Sequence, residues 1–410
     1  MIYVPSEPVV ILSAARTPQS GLGGPLERFT AVELGGFAAR GALERARIDP
    51  ERIDEAVFGN VVSAGLGHAP AKQAALAAGV PHERTFRTVN TVCASGMSAI
   101  LGVCLSLEAG LAEVALAGGM ESRSGAPYYL GPFDADGRRL PGKVRGTEFR
   151  LKTPRREAPA GQQREFIERL RGAGIREASI LDSLACPWCD GLTMRDYAER
   201  FAEREDLSLE EVNEAAAESY ARARAARDGG DFAREISPAG DVAADEIISR
   251  EREGELRGIS YGYVTAFNAP QLGDGAAAVV LCRESTAEKL GLEPAARILS
   301  VSRVDTPPQG FVKAPVEALE AAAEAAGARA TLVEANESFG LQIPLIRRGF
   351  PADEMNPYGG AVALGHPVGA AGARVVVTLL NAMRARGHRV GAATICFGSG
   401  GAMAAVLEAL

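Results

Sequence analysis

The chain has 410 residues, of which 47% are hydrophobic and 23% are charged. This composition is typical of folded globular proteins, and the length suggests two or three domains. Its formal net charge of −8, without a sustained basic and aromatic segment, argues against nucleic acid as the main partner. The N-terminus has no signal-peptide pattern, and no apolar run reaches the roughly 18 residues of a membrane span. We therefore expect a cytoplasmic protein without a membrane partner.

The first third of the chain alternates between β-rich runs and helical periodicity. Strands are predicted at 8–14, 54–62 and 113–117, and helices at 31–47, 71–78 and 98–110. Strands that alternate with helices predict βαβ units and a mostly parallel sheet.

The composition changes near residue 126. Residues 138–176 contain ten arginines and two lysines against four glutamates, with many glycines and prolines. This basic segment predicts a long excursion from the sheet, either a solvated surface loop or a rim that attracts a polyphosphate ligand. Helices are then predicted at 192–204 and 208–227, the second beginning with a capping box of Ser208 and Glu211.

A second α/β region follows. Strands are predicted at 263–268, 276–281, 296–301, 331–335, 392–396 and 402–407, and helices at 314–326 and 373–386, with a glycine-rich segment at 359–373. The order of elements in the two halves matches, which suggests an internal duplication.

Cys93 lies among small residues where a turn leads into a helix, in Asn90-Thr-Val-Cys-Ala-Ser-Gly96. The positive end of a helix dipole favours a thiolate, so this position is typical of a nucleophile. The alternative is a small core residue, because free cysteines are usually buried. Six cysteines are too few for a disulfide scaffold in a chain of this length, and reduced thiols are expected at four of them: Cys93, Cys104, Cys282 and Cys396.

Three later segments favour the nucleophile. Asn336 follows a predicted strand, His366 lies in a glycine-framed turn before a helix, and Cys396 ends a strand ahead of Gly398. Each alone is more often structural. Together they provide two thiols, an imidazole, an amide and backbone donors, a set that suits acyl transfer.

These segments resemble the signature blocks of the thiolase family, the acetyl-CoA acetyltransferases and 3-ketoacyl-CoA thiolases. The blocks are NTVCASGMSA, AGGMES, NESFG, NPYGGAVALGHPVGAAGAR and CFGSGG. The resemblance implies an α/β fold with duplicated βαβ halves in a five-layered αβαβα arrangement and an inserted loop domain. The implied domains are 1–125, completed by 252–284, the loop domain 126–251 over coenzyme A, and 285–410.

The resemblance also implies a two-step reaction without metal or resident cofactor, with coenzyme A thioesters as substrates. Cys93 would take the acyl group while His366 accepts its proton, and Cys396 would act as acid and base at the α-carbon. One oxyanion hole would be His366 with a water held by Asn336, and the other the backbone N–H groups of Cys93 and Gly398. A homodimer or homotetramer is implied, whereas no residues that bind coenzyme A are identified.

The chain departs from the family pattern in three places. Cys189-Asp190-Gly191 stands where the family has His-Met-Gly, and Thr265-Ala-Phe-Asn-Ala-Pro270 stands where it has TAGNAS. The basic segment also looks longer than usual. The pair Cys186 and Cys189 is more typical of a structural or pocket-lining role than of a redox switch or a metal site, since no second pair follows.

The sequence therefore predicts an acyl-CoA:acetyl-CoA C-acyltransferase, with a role in fatty acid metabolism. One alternative is a divergent condensing enzyme that uses an unusual acyl donor in a biosynthetic pathway. The other is a non-catalytic acyl-CoA binding subunit, which would have no use for two thiols beside an imidazole.

Overall fold

The computed structural model describes residues 1–130, 175–186, 192–205, 207–247, 253, 254, 256 and 262–410. All but the last two residues of the basic segment 138–176 lie outside these ranges. The strands are β1 Ile2–Tyr3, β2 Val9–Arg16, β3 Ser20–Gly21, β4 Glu55–Gly59, β5 Thr85–Val89, β6 Val114–Glu121, β7 Tyr128–Leu130, β8 Ile175–Glu177, β9 Gly273–Arg283, β10 Ala296–Asp305, β11 Leu332–Ala335, β12 Glu354–Met355, β13 Val390–Cys396 and β14 Gly401–Ala409. The α-helices are α1 Ala31–Ala46, α2 Pro70–Ala77, α3 Ser95–Glu108, α4 Ala178–Leu181, α5 Met194–Arg204, α6 Leu209–Asp228, α7 Glu284–Leu290, α8 Ala314–Ala326, α9 Gln342–Gly349, α10 Ala361–Leu364 and α11 Val368–Arg386.

The main sheet is a repeat of one five-stranded pattern. The first half has the strand order β2-β9-β6-β4-β5, and the second half has the order β10-β14-β13-β11-β12. In both halves the first two pairings are antiparallel and the last two are parallel. Antiparallel pairing of β2 with β10 joins the halves. The expected duplication is therefore confirmed in the strand order.

Helices complete five layers. α1 packs on the outer face of the first half and α8 on the outer face of the second, while α3 and α11 pack against each other between the halves. In the central layer a Cβ on Gly96 would lie 2.5 Å from the backbone nitrogen of Ala373, and one on Gly372 would lie 2.6 Å from that of Met97. Only glycine permits this close approach. The predicted αβαβα fold is confirmed.

The same contact explains where α11 begins. The sequence places its first residue at 373, after a glycine-rich turn, whereas the helix begins at Val368. Glycine lowers intrinsic helix propensity, but packing against a neighbouring helix outweighs it here. Gly369 and Gly372 are therefore contact positions inside the helix, and not part of a loop.

The predicted strand at 263–268 is wrong. These residues form bends and turns, because side chains capture their backbone donors. The carboxylate of Glu199 accepts hydrogen bonds from the N–H groups of Tyr263 and Val264, and Asn268 Oδ1 accepts one from Thr265. Local side-chain bonds of this kind replace a strand ladder.

Two smaller features also differ from the sequence predictions. Ser208 caps α6 by accepting from the N–H of Glu211, but the Glu211 carboxylate accepts from Arg348 Nη2 at 2.6 Å and does not complete a capping box. Strand β5 is not predicted, because it is an edge strand with largely exposed side chains and carries little apolar signal. No helix within the described ranges is long and apolar enough to cross a membrane.

A buried ion network fastens the segment after α6 to the end of β2. Arg16, with no exposed surface, donates from Nε to Glu235 at 2.6 Å, and from Nη1 and Nη2 to the Asp245 carboxylate at 2.6 and 2.8 Å. Bidentate pairing with one carboxylate and a single bond to another satisfies the guanidinium. Arg16 is the cation that pairs directly with both buried carboxylates.

We expect Arg16→Met to lower the free energy of unfolding by about 3–5 kcal/mol, because the change leaves buried carboxylates without their partner. Denaturant titration followed by circular dichroism measures this loss. Arg329→Met is the matched control, since Arg329 pairs with Asp353 on the exposed surface and exposed pairs contribute little. Equal effects of the two substitutions would contradict the assigned role of the buried network.

Candidate active site

A cavity of about 300 Å³ lies where the two halves meet residues 180–184 and 193–195. Cys93, His366, Cys396 and Gly398, which the sequence singles out, all line it. Asn336 is buried but is not among the described residues that line the cavity. The structure therefore brings together four of the five predicted site residues around one space.

Cys93 sits in a tight turn before α3. Val92 has a φ of 49°, a left-handed conformation that a β-branched residue rarely adopts. The Ser95 hydroxyl supports the turn by donating to Val92 O at 2.6 Å and accepting from Thr91 N at 2.9 Å. Such local strain persists only where surrounding contacts impose it. The turn presents the Cys93 thiol to the cavity.

The charge state of Cys93 differs from the sequence expectation. Burial raises the pKa of its thiol well above the usual range, and the neighbouring Cys396 adds to this effect. Arg123 and the backbone N–H groups of Cys93 and Gly398 oppose the rise but do not overcome it. The expectation of a stabilised thiolate is wrong for the unliganded protein, because desolvation outweighs the helix terminus. Cys93 is therefore a thiol in the unliganded protein.

The same two N–H groups lie near the Cys93 sulfur. Their role as an oxyanion hole for an acyl group on that sulfur stays a prediction. Donors fixed in this way stabilise a developing negative charge without reorganising.

His366 is held by its backbone between α10 and α11. Its N–H donates to Gln271 O at 2.9 Å, and Gly365 before it has a φ of 93°. Burial, with the positive charges of Arg123 and Arg374, lowers the pKa of the imidazole to about 3. Neither ring nitrogen has a hydrogen-bond partner within the described protein. His366 is therefore a neutral imidazole on the cavity wall.

Cys396 ends β13 and also lines the cavity. Its thiol donates to Ser338 Oγ at 3.2 Å, and burial raises its pKa. Asn336 Nδ2 in turn donates to Ser338 Oγ at 2.8 Å, while Asn336 Oδ1 accepts from Arg374 Nη2 at 3.2 Å. Asn336 therefore does not line the cavity itself but contacts Ser338, which does. Its predicted role in holding a water remains a prediction.

Several buried partners of the site were not predicted. Arg374 pairs with Glu334 at 2.6 Å, both with at most 1% of the side chain exposed, and this pair holds the amide of Asn336. Burial raises the pKa of Glu334 to about 8, against the opposing effect of Arg374. An arginine within the apolar pattern of α11 was the sequence feature that could have identified Arg374 as a buried partner.

Two buried carboxylates secure the loops on which the site is built. Glu121 accepts hydrogen bonds from the N–H groups of Val61, Val62 and Gly369, the last at the start of α11. Burial raises its pKa to about 7 despite these bonds. In the second half, Glu337 accepts from the N–H of Val362 at the start of α10. Each carboxylate ties a strand end to the beginning of a helix.

The other residues discussed in the sequence analysis lie partly on the cavity wall and partly outside the cavity. His388 contacts Thr331 and Glu354 through its two ring nitrogens, whereas Pro270 lines the cavity. Phe267 is buried against Tyr220, 5.4 Å between ring centroids. Cys186 is buried and disulfide-bonded, and Cys189 lies outside the described residues. The cysteines expected to be reduced at 93, 104, 282 and 396 are free.

Comparison with known proteins gives a family match over most of the chain. The model of the thiolase N-terminal domain matches residues 9–285, and the model of the thiolase C-terminal domain matches residues 292–409. An acetyl-CoA acetyltransferase of Escherichia coli is 37% identical over 98% of this chain and 99% of its own length. The cytosolic acetyl-CoA acetyltransferase of Gibberella zeae is 36% identical, with 98% of each chain covered.

Solved structures agree in fold. A thiolase from Ascaris suum in complex with coenzyme A superposes with a TM-score of 0.84 at 31% identity, covering 98% of this chain and all of that one. Human mitochondrial 3-ketoacyl-CoA thiolase in complex with CoA superposes with a TM-score of 0.83 at 31% identity, covering 98% of each chain.

We expect the rate of alkylation of Cys93 by iodoacetamide to rise about tenfold per pH unit from pH 6 to 9 without a plateau. Only the thiolate reacts, and a raised pKa keeps its fraction small and growing throughout this range. Peptide mass spectrometry measures the rate at Cys93 separately from the other thiols, with Cys93→Ser as the blank. A plateau below pH 7 would show that the helix terminus prevails over burial.

Proposed function

Since this chain belongs to the thiolase family, we propose that it is an acyl-CoA:acetyl-CoA C-acyltransferase that works through an acyl-enzyme on Cys93. The observation that carries the proposal is the single cavity lined by two thiols, an unpartnered neutral imidazole and a backbone donor near the nucleophile. The reaction is the reversible cleavage of a 3-ketoacyl-CoA by coenzyme A, or the condensation in the other direction. The proposal includes no metal and no resident cofactor.

In the cleavage direction, the Cys93 sulfur attacks the 3-keto carbon while His366 takes the thiol proton. The neutral imidazole suits this step, because an imidazolium could not accept the proton. Backbone N–H groups of Cys93 and Gly398 lie near the sulfur and can stabilise the oxyanion. The bond between carbons 2 and 3 then breaks, and its electron pair passes to the enolate of acetyl-CoA.

Cys396 supplies the second proton transfer. Its raised pKa keeps the thiol protonated, so it can protonate the enolate carbon and become a thiolate. Incoming coenzyme A gives its thiol proton to Cys396 and attacks the acyl group on Cys93. The Cys93 sulfur leaves and regains its proton from the imidazolium, which returns every group to its starting state. Condensation is the reverse sequence.

The enolate oxygen requires its own donors. A ring nitrogen of His366, which lines the cavity and has no hydrogen-bond partner among the described residues, would be one donor. A water held by Asn336 would be the second. The contact of Asn336 with Ser338 Oγ, next to Cys396, supports this location.

We also propose a homodimer or homotetramer in the cytoplasm, with the basic segment 138–176 near the phosphates of coenzyme A. The charge of that segment supports the contact with phosphates.

Neither alternative from the sequence is favoured. A non-catalytic binding subunit would not need the two thiols beside His366, and the relatives are named as acetyltransferases.

We expect Cys93→Ser to lower kcat for acetoacetyl-CoA cleavage by about a thousandfold or more, because a serine hydroxyl is far harder to deprotonate than a thiol. The assay follows loss of the 3-ketoacyl thioester with coenzyme A present. Cys282→Ser is a matched control, since Cys282 is buried in β9 away from the cavity. Turnover close to wild type in Cys93→Ser would refute the nucleophile assignment.

We expect Cys396→Ala to retain acylation from acetyl-CoA but to lose condensation and cleavage. Transfer of an acetyl group to Cys93 needs no proton at carbon, whereas both overall directions do. Intact-protein mass measures the acetyl adduct, and the thioester assay measures turnover. Loss of the adduct together with turnover would show that the two thiols do not divide the work as proposed.

A further inference from the structure

Arg123 is the cavity residue for which the proposed reaction has no use. It follows β6, and its side chain is only 1% exposed although it lines the same cavity as Cys93 and His366. Its charge acts on both of these groups: it opposes the raised pKa of Cys93 and contributes to the lowered pKa of His366. The guanidinium is therefore close to the reacting atoms and out of contact with bulk water.

Most of the hydrogen-bonding capacity of Arg123 is unused by the described residues. Nη2 donates to Ser179 O at 3.0 Å, whereas Nε and Nη1 have no partner among them. The carboxylates whose charge it senses accept hydrogen bonds from other groups: Glu121 from Gly369 N, Asp274 from Ser124 N and Glu177 from Ser179 Oγ. These carboxylates balance the charge of the Arg123 guanidinium through space, and none of them accepts a hydrogen bond from it.

The surrounding wall makes this arrangement costly. Most of the other residues that line the cavity are apolar, among them Ile180, Leu184, Val264, Leu272, Phe311 and Phe339. A buried cation without hydrogen-bonded anions is energetically unfavourable. A wall built only for an acetyl or alkyl group has no need of such a cation.

We propose, on the basis of the acyl transfer proposed above, that Arg123 binds a carboxylate carried by the acyl group, so that the preferred substrates are coenzyme A thioesters of 3-oxodicarboxylic acids. The free Nε and Nη1 donors match carboxylate oxygens, for which guanidinium groups have complementary geometry. The apolar lining accommodates the methylene chain between the two carbonyl groups.

The phosphates of coenzyme A are a poorer match for Arg123. In the ligand they are separated from the sulfur by the whole pantetheine arm, and Arg123 lies beside the nucleophile that attacks next to that sulfur. Arg195, the other arginine on the wall, is 45% exposed and lies near Glu199. It belongs to the rim, where solvent weakens its interaction with an anion.

The test compares two 3-ketoacyl thioesters of equal length that differ at the far end: 3-oxoadipyl-CoA with a carboxylate and 3-oxohexanoyl-CoA with a methyl group. The ratio of their kcat/KM values is measured in one preparation, so that it does not depend on the folded fraction. We expect wild type to favour the carboxylate by about tenfold or more, and Arg123→Met to lower this ratio by at least the same factor. Arg123→Lys keeps the positive charge but not the planar guanidinium that can bind both carboxylate oxygens, and gives an intermediate ratio.

Arg195→Met is the matched control and leaves the ratio within about twofold of wild type. The proposal is overturned if wild type shows no preference, or if Arg195→Met alters the ratio as much as Arg123→Met. It is also overturned if Arg123→Met slows both thioesters equally, in which case Arg123 acts on the Cys93 thiolate. Acetylation of Cys93 by acetyl-CoA tests the acyl transfer separately. An enzyme that acetylates but shows no preference keeps the proposed function and loses only this inference.

Discussion

Burial of the side chains around the Cys93 cavity determines the charge of the thiols and the imidazole proposed to act in it. Desolvation raises the pKa of Cys93 and Cys396 and lowers that of His366 to about 3. The resting site therefore has two thiols and a neutral imidazole in place of a preformed thiolate and imidazolium. Charge arises only during proton transfer, next to backbone donors that are already in position. Arg123 is the exception, a buried cation that is present from the start.

The duplicated architecture makes this cavity possible. Each half places a strand end and a helix start at the boundary between the two halves, with Cys93 before α3 and His366 before α11. The close contact at Gly96 and Gly372 brings these helices together. Buried carboxylates and the Arg374 pair then fix the surrounding loops by hydrogen bonds. The positions of the proposed catalytic groups therefore depend on backbone packing at the centre of the molecule.

Sequence reasoning predicted the fold, the duplication and the cavity residues Cys93, His366, Cys396 and Gly398, because they lie in local motifs at strand ends and helix starts. It did not predict Arg123, Ser338 or Arg374 as parts of the site, since their burial depends on elements far apart in the chain. The prediction of a thiolate at Cys93 was wrong for the same reason. A helix terminus can be read from neighbouring residues, whereas desolvation is produced by the whole cavity wall. The strand expected at 263–268 failed because Glu199, sixty residues away, binds its N–H groups.

The most direct test of this account is the protonation state of His366, observed by nitrogen NMR of the protein labelled at its four histidines. A spectrum of His366→Asn identifies the resonances of that ring. Desolvation with the charges of Arg123 and Arg374 predicts a neutral imidazole at every pH from 5 to 8, since its pKa is lowered to about 3. Titration of His366 with a midpoint near 6.5, the value of an imidazole in water, would contradict the burial that lowers this pKa and the charge state of the resting site derived from it.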